Sequence, residues 1–285
     1  MNFGGIEDAR YSSFETARVV VFPYSPENPE TGAAEILAAS RRLPLYDEET
    51  DAETYKIGIH TLERPFPANA SESPEENFYL IAEELLRAGK FICLLGGDDA
   101  FTVSVARAYV ERFHNLSVLR IGARAVFDEP ETAAPSLLVR LVREWQLPAV
   151  QVGLRAVSAE TIRALADFPR SFKFFRASDI AGETGRIDEA LEQLTERVWL
   201  TIDCDGLDPS IMPAVPRPEP GGLGWFDIVG LIRGLTRKRR VVGMSLAGFS
   251  TERLGAAPAY LCAKLIYQTL GFVFRDEAPK VVGGP

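Results

Sequence analysis

Histidine is almost missing from this chain: 285 residues contain two, His60 and His114. His60 lies in a Tyr-Lys-Ile-Gly-Ile-His stretch, and His114 follows Arg-Phe where a helix ends and its dipole favours a cation. Neither has the spacing of a histidine-rich metal centre. Cysteine is scarce too. Cys93, Cys204 and Cys262 sit in apolar or strand-like surroundings without paired spacing, which points to reduced thiols in the cytosol and excludes a disulfide framework. The first ten residues lack the basic and apolar regions of a secretory signal, and no apolar run approaches the ~20 residues of a membrane span. Positive charge is thin. The net charge is -9 and the pI about 5.0, and the basic run Arg237-Lys-Arg-Arg240 reads as solvated charge at a helix end. Nucleic acid and anionic membranes are therefore poor partners. Gly96-Gly97 is not followed by the glycines or lysine of a nucleotide loop. These absences lead to the expectation of a cytoplasmic protein that binds neither nucleic acid nor membrane.

What is present is a large apolar complement, 46% of residues, enough for one sizeable core and hence one domain over 1–285. Apolar β-rich runs at 19–22, 91–95, 118–121, 149–153, 172–175, 198–202 and 241–246 alternate with helical patterns at 33–42, 75–88, 101–113, 137–145, 159–166, 189–196, 226–235 and 260–274. Such alternation gives an α/β fold, a mainly parallel sheet between helical layers, with sites at the carboxyl ends of its strands. The helix near 75 is well marked, with Ser73 as N-cap, Pro74 in the first turn and Gly89 beyond its end. Segments 65–73 and 179–187 read as surface loops and 276–285 as a loosely held tail.

The run Thr201-Ile-Asp-Cys-Asp-Gly-Leu-Asp-Pro209 carries the chemistry. Asp203 and Asp205 stand at alternate positions where an apolar strand gives way to a turn, so both carboxylates face one side and can share a divalent cation. Cys204 points the other way and reads as a buried thiol rather than a nucleophile.

With Gly96-Gly97-Asp98-Asp99 upstream and Pro220-Gly-Gly-Leu223 downstream, this run resembles the ureohydrolases, the arginases and agmatinases, over roughly residues 15 to 275. Val152-Gly-Leu-Arg155 and the glycine-led helix from Gly32 to Ser40 are further echoes. The resemblance implies a three-layer αβα sandwich. It also implies a pair of manganese ions whose bridging water attacks a guanidinium carbon. Position by position it aligns Asp99 with a histidine ligand, Gly122, Arg124 and Val126 with the family's Asp-Ala-His-x-Asp ligands, and Gly248 with the glutamate that grips the substrate. Only Asp203 and Asp205 match, with Asp99 as a possible substitute. On this basis the sequence is read as a ureohydrolase-like protein that has lost the metal pair and serves as a non-catalytic binding or assembly protein for a guanidino or polyamine cation. The alternative is a hydrolase of agmatine- or arginine-like compounds with a reduced site holding at most one manganese, magnesium or calcium ion at Asp99, Asp203 and Asp205. A homo-oligomer is implied by the resemblance alone. Arg124 is expected either to neutralise the carboxylates from within the site or to face solvent.

Overall fold

A computed structural model describes residues 1–24, 32–62, 73–96, 99–125, 137–182, 184–251 and 256–281. Eight parallel strands form one sheet: β1 (Val19–Pro23), β2 (Ile59–Thr61), β3 (Phe91–Leu95), β4 (Leu116–Ile121), β5 (Ala149–Leu154), β6 (Phe172–Arg176), β7 (Arg197–Asp203) and β8 (Arg240–Ala247). Their order across the sheet is β2-β1-β3-β8-β7-β4-β5-β6. The helices are α1 (Ala9–Ser12), α2 (Gly32–Ser40), α3 (Pro74–Arg87), α4 (Asp99–Arg112), α5 (Leu137–Val139, running on as a π-helical turn), α6 (Ala159–Ala166), α7 (Ala177–Ile180), α8 (Thr184–Glu192), α9 (Trp225–Lys238) and α10 (Ala256–Val273). Each inner strand is buried on both faces, so its sequence is nearly continuous in Val, Ile and Leu.

Alternation divides the strand residues between two cores. Val198, Leu200 and Ile202 of β7 meet the layer of α2, α8, α9 and α10, whereas Trp199 meets α3 and α4 on the opposite face. This is the αβα sandwich expected from the alternating pattern. The Ser73 hydroxyl accepts from Glu76 N–H at the start of α3, and Pro74 occupies the first turn, as the sequence predicts.

Three local expectations are corrected. Strand β2 is additional; it is three residues long, too short for a periodic pattern, and it pairs with β1 at the sheet edge. Part of segment 179–187, read as a loop, is helical in α7 and α8, because Ile187, Ala190 and Leu191 supply an inward face that the charged residues around them conceal. The tail is held through residue 281: Lys280 bridges Ala52 and donates to Thr50 O at 2.8 Å, and Val281 N–H donates to Asp51 O. Segment 65–72 lies outside the described residues.

On the α3–α4 face, a polar row crosses the sheet beneath its carboxyl edge. Gln151, Arg120, Thr201 and Ser245 are mutual register neighbours on β5, β4, β7 and β8, and all four are buried. Just below it the core is aromatic: Trp199 is fully buried and stacks on Tyr109 at 5.4 Å with the rings 15° apart. Truncating Trp199 to alanine leaves a cavity at the centre of the sheet and is expected to cost about 3–5 kcal/mol. Urea denaturation followed by circular dichroism checks this, and a loss below about 1 kcal/mol would contradict the packing described.

Candidate active site

The carboxyl ends of β4, β7 and β8 meet at one place. Strand β7 ends at Asp203, and the chain turns at once into a 3-10 turn, Cys204–Gly206, so strand alternation does not carry through to Asp205. Asp203 caps that turn, its Oδ1 accepting from Asp205 N–H at 3.1 Å. The other oxygen, Oδ2, accepts from the guanidinium of Arg120 at 3.3 Å. Asp205 turns toward the loop after β4, where its Oδ1 accepts from Ala123 N–H at 2.9 Å and its Oδ2 stands 3.8 Å from Arg124 Nε. Asp205 therefore grips the turn 122–124 directly, and Asp203 holds Arg120, whose Nη1 donates to Arg124 O at 3.5 Å.

Arg120 is the residue that sequence reading missed. It sits inside an otherwise apolar strand with its side chain only 10% exposed, and a buried guanidinium needs a counter-charge. Its register neighbour on β7 is Thr201, so the carboxylate one step further along that face, Asp203, is the group within reach. Two glycines make this pairing possible. A Cβ on Gly122 would collide with Arg120 Nη1, and a Cβ on Gly248 would collide with Asp203 Oδ1. Gly248 also has φ near 77°, a conformation that disfavours side chains. The signal was present in the sequence as a lone arginine two residues before Gly122, between leucine and isoleucine.

Arg124 points neither fully into solvent nor at Asp203. Its side chain is 26% exposed; Nη2 donates to Arg217 O at 3.2 Å and stands 3.8 Å from Glu219 Oε2. It thus links Asp205 to the rim. Gln151 steadies the same turn from below, its Nε2 donating to Gly122 O at 3.2 Å and Arg124 O at 2.6 Å.

The rim is the Pro-Gly-Gly-Leu segment, and two residues fix it. Asp208 Oδ2 accepts from the N–H groups of Gly221 and Gly222 at 2.8 and 2.9 Å, while Asp208 N–H donates to Leu223 O. Arg155 reaches under the rim from the end of β5. Its guanidinium donates to the carbonyls of Asp205 at 2.8 Å, Leu207 at 3.2 Å and Glu219 at 2.6 Å, tying the carboxylate turn to the rim. Burial pulls Arg155 below its ordinary pKa, and Asp205, Asp208 and Glu219 pull it back.

The residues in view do not fit a pair of divalent ions. Among the described residues no three His, Cys, Asp or Glu side chains converge as a metal site requires, and Asp203 and Asp205 already have oxygens engaged by N–H groups and faced by arginines. Asp99 lies in the first turn of α4, with its side chain outside the described residues, as is the whole of Val126. The thiols take no part: Cys204 is buried with its Sγ 3.7 Å from Cys262 Sγ, and that contact and burial hold its pKa well above the ordinary thiol range. His60 is structural, with Nδ1 at 2.9 Å from Ser12 O.

Comparison with known proteins places these features. The arginase family model matches residues 25–271. N(1)-aminopropylagmatine ureohydrolase of Thermus thermophilus is 36% identical over 282 residues, covering 94% of this chain and 93% of its own. The Synechocystis protein of the same name is 30% identical over 97% of this chain and 95% of its own. Among solved structures, agmatine ureohydrolase of Thermoplasma volcanium superposes with a TM-score of 0.74 at 22% identity, covering 94% of each chain. Proclavaminate amidino hydrolase of Streptomyces clavuligerus gives 0.76 at 18%, covering 96% of this chain and 97% of its own. These two show a shared fold. The comparisons correct the reading of a non-catalytic binding or assembly protein. That reading rested on the side chains at a few positions, Gly122, Arg124, Val126 and Gly248 among them, whereas identity to named ureohydrolases extends over nearly the whole chain.

Hydrogen bonds from the Ser210 hydroxyl and N–H, joined by those from Gly222 and Gly221, hold the Asp208 carboxyl down at about 2 against an ordinary 3.8. A depressed carboxyl stabilises the fold above its unfolded pKa and loses that contribution as pH falls through its folded one. Asp208→Ala is therefore expected to cost about 1–2 kcal/mol at neutral pH, with the difference from the parent protein narrowing only below about pH 4. Denaturation curves at several pH values check this; a difference that already narrows between neutral pH and about pH 5 would contradict it.

Proposed function

This chain belongs to the arginase family, and we propose that it is a ureohydrolase acting on a guanidino-bearing amine of the agmatine class. The observation that carries this is the 36% identity, over 94% of the chain, to a protein named for hydrolysis of N(1)-aminopropylagmatine. The chemistry of the site supports a cationic substrate. Asp203, Asp205 and Glu219 lie along the carboxyl edge of the sheet, each beside an arginine, in a chain of net charge -9 that favours the approach of cations. A guanidinium presents a planar fork of N–H donors that matches a carboxylate, and the site already binds that group from within, through Arg120 and Arg124. Glu219 Oε2 faces Arg124 at 3.8 Å, beyond hydrogen-bond length, on a side chain 41% exposed, so its lone pairs remain open to a substrate cation. The polar rim held by Asp208 and Arg155 closes one side of the space.

Hydrolysis adds water to the guanidinium carbon and expels the amine, leaving urea. In this chain Glu219, whose carboxylate faces Arg124 without a hydrogen bond, is the group placed to hold the cation and to accept the proton of water.

Urea release from N(1)-aminopropylagmatine, agmatine and arginine, assayed with and without added manganese, tests the proposal. Turnover is expected with the two agmatine-type amines, and Glu219→Gln is expected to raise KM about tenfold with a smaller effect on kcat, as for loss of a charge contact made to substrate and transition state alike. Absence of urea from all three compounds in both conditions would overturn it.

A further inference from the structure

Two glycines, one buried arginine and one aspartate form a single fitted unit at the carboxyl edge of the sheet. The Arg120 guanidinium occupies the space over Gly122 that a side chain there would take, since its Nη1 lies where a Cβ at that position would collide with it. The Asp203 carboxylate likewise fills the space over Gly248, in the path of a Cβ built there. The two charged groups then meet at 3.3 Å, with side chains 10% and 28% exposed. Gln151 and Thr201 flank Arg120 in register, the Arg124 carbonyl faces Arg120 Nη1 at 3.5 Å, and Asp205 N–H donates to Asp203 Oδ1 at 3.1 Å.

From this geometry we propose that Arg120 is the resident cation of the site. Its guanidinium supplies to Asp203 the positive charge that a divalent ion would otherwise supply, and cation and arginine exclude one another there. A half-buried carboxylate needs a cation, a divalent ion needs several oxygens at about 2.0–2.6 Å, and among the described residues Arg120 at 3.3 Å takes one Asp203 oxygen while Asp205 N–H takes the other. Gly122 and Gly248 are on this account parts of the device, because a Cβ at either would force the facing charged group to shift. The inference concerns the cation at Asp203 and stands apart from the substrate assigned above.

Manganese titration of the purified full-length protein tests it, read by the electron paramagnetic resonance of free manganese and by thermal denaturation. The parent protein is expected to leave the free-ion signal undiminished at millimolar manganese and to keep its melting temperature. Arg120→Met is expected to melt several degrees lower and to recover at least about 2 °C with millimolar manganese. Arg120→Lys, which keeps a cation in place, is expected to show no such recovery. Stoichiometric uptake by the parent protein, or an equal manganese shift in parent and Arg120→Met, would overturn the inference. If Arg120→Met fails to fold with or without manganese, Arg120→Met/Asp203→Asn decides: a folded, manganese-indifferent double variant supports the inference, and a second failure to fold overturns it. Urea is not measured here, so failure of this inference is distinct from failure of the substrate assignment.

Discussion

The ion pair between Arg120 and Asp203 is the constraint around which the carboxyl edge of the sheet is arranged. A guanidinium on an inner strand is unfavourable unless a counter-charge lies within reach, and here the reach is fixed by the register of β4 against β7. Once the pair forms, it dictates its neighbours. A Cβ at Gly122 would displace the guanidinium that lies over it, and one at Gly248 would displace the carboxylate. The turn 122–124 is then pinned from three sides, by Asp205 at Ala123 N–H, by Gln151 at two carbonyls and by Arg120 at the Arg124 carbonyl.

A second network builds outward from this centre. Asp205 is reached by Arg155 through its carbonyl and by Arg124 through its carboxylate, and both arginines run on to the Glu219 region of the rim. Asp208 ties the same rim back through Gly221 and Gly222. The three aspartates of one short run thus have different tasks: Asp203 faces the internal cation, Asp205 holds the turn after β4, and Asp208 shapes the rim. The division follows from where β7 stops. Because the strand ends at Asp203, the next aspartate lies on a 3-10 turn and faces the neighbouring loop.

Much of the fold was legible in the sequence, because strands buried on both faces leave continuous apolar runs and helices leave a longer period; every strand but β2 was marked in this way. Strand β2 escaped since three residues cannot show a period, and the start of α8, ahead of the helical pattern marked at 189–196, escaped because its inward residue there is Ile187 amid charge. In the site, Asp203, Asp205, Arg124 and Gly248 were singled out and do gather at the carboxyl edge. What local reading could not supply was partnership. Arg120 looked like one charge in a strand, and only the register of β4 on β7 brings it to Asp203, while Gln151 acquires its meaning from the adjacent turn. The inference of lost function failed for a related reason: it weighed single positions, whereas kinship with named ureohydrolases is a property of the whole chain.

A double-mutant cycle between Arg120→Met and Asp203→Asn, measured by urea denaturation at neutral pH, tests the central interaction most directly. Each single variant strands a partly buried charge, so each is expected to lose more stability than the double variant does, with a coupling energy of about 1–3 kcal/mol. Additive losses, with coupling below about 0.5 kcal/mol, would show that the two groups sit side by side without holding each other and would contradict the account.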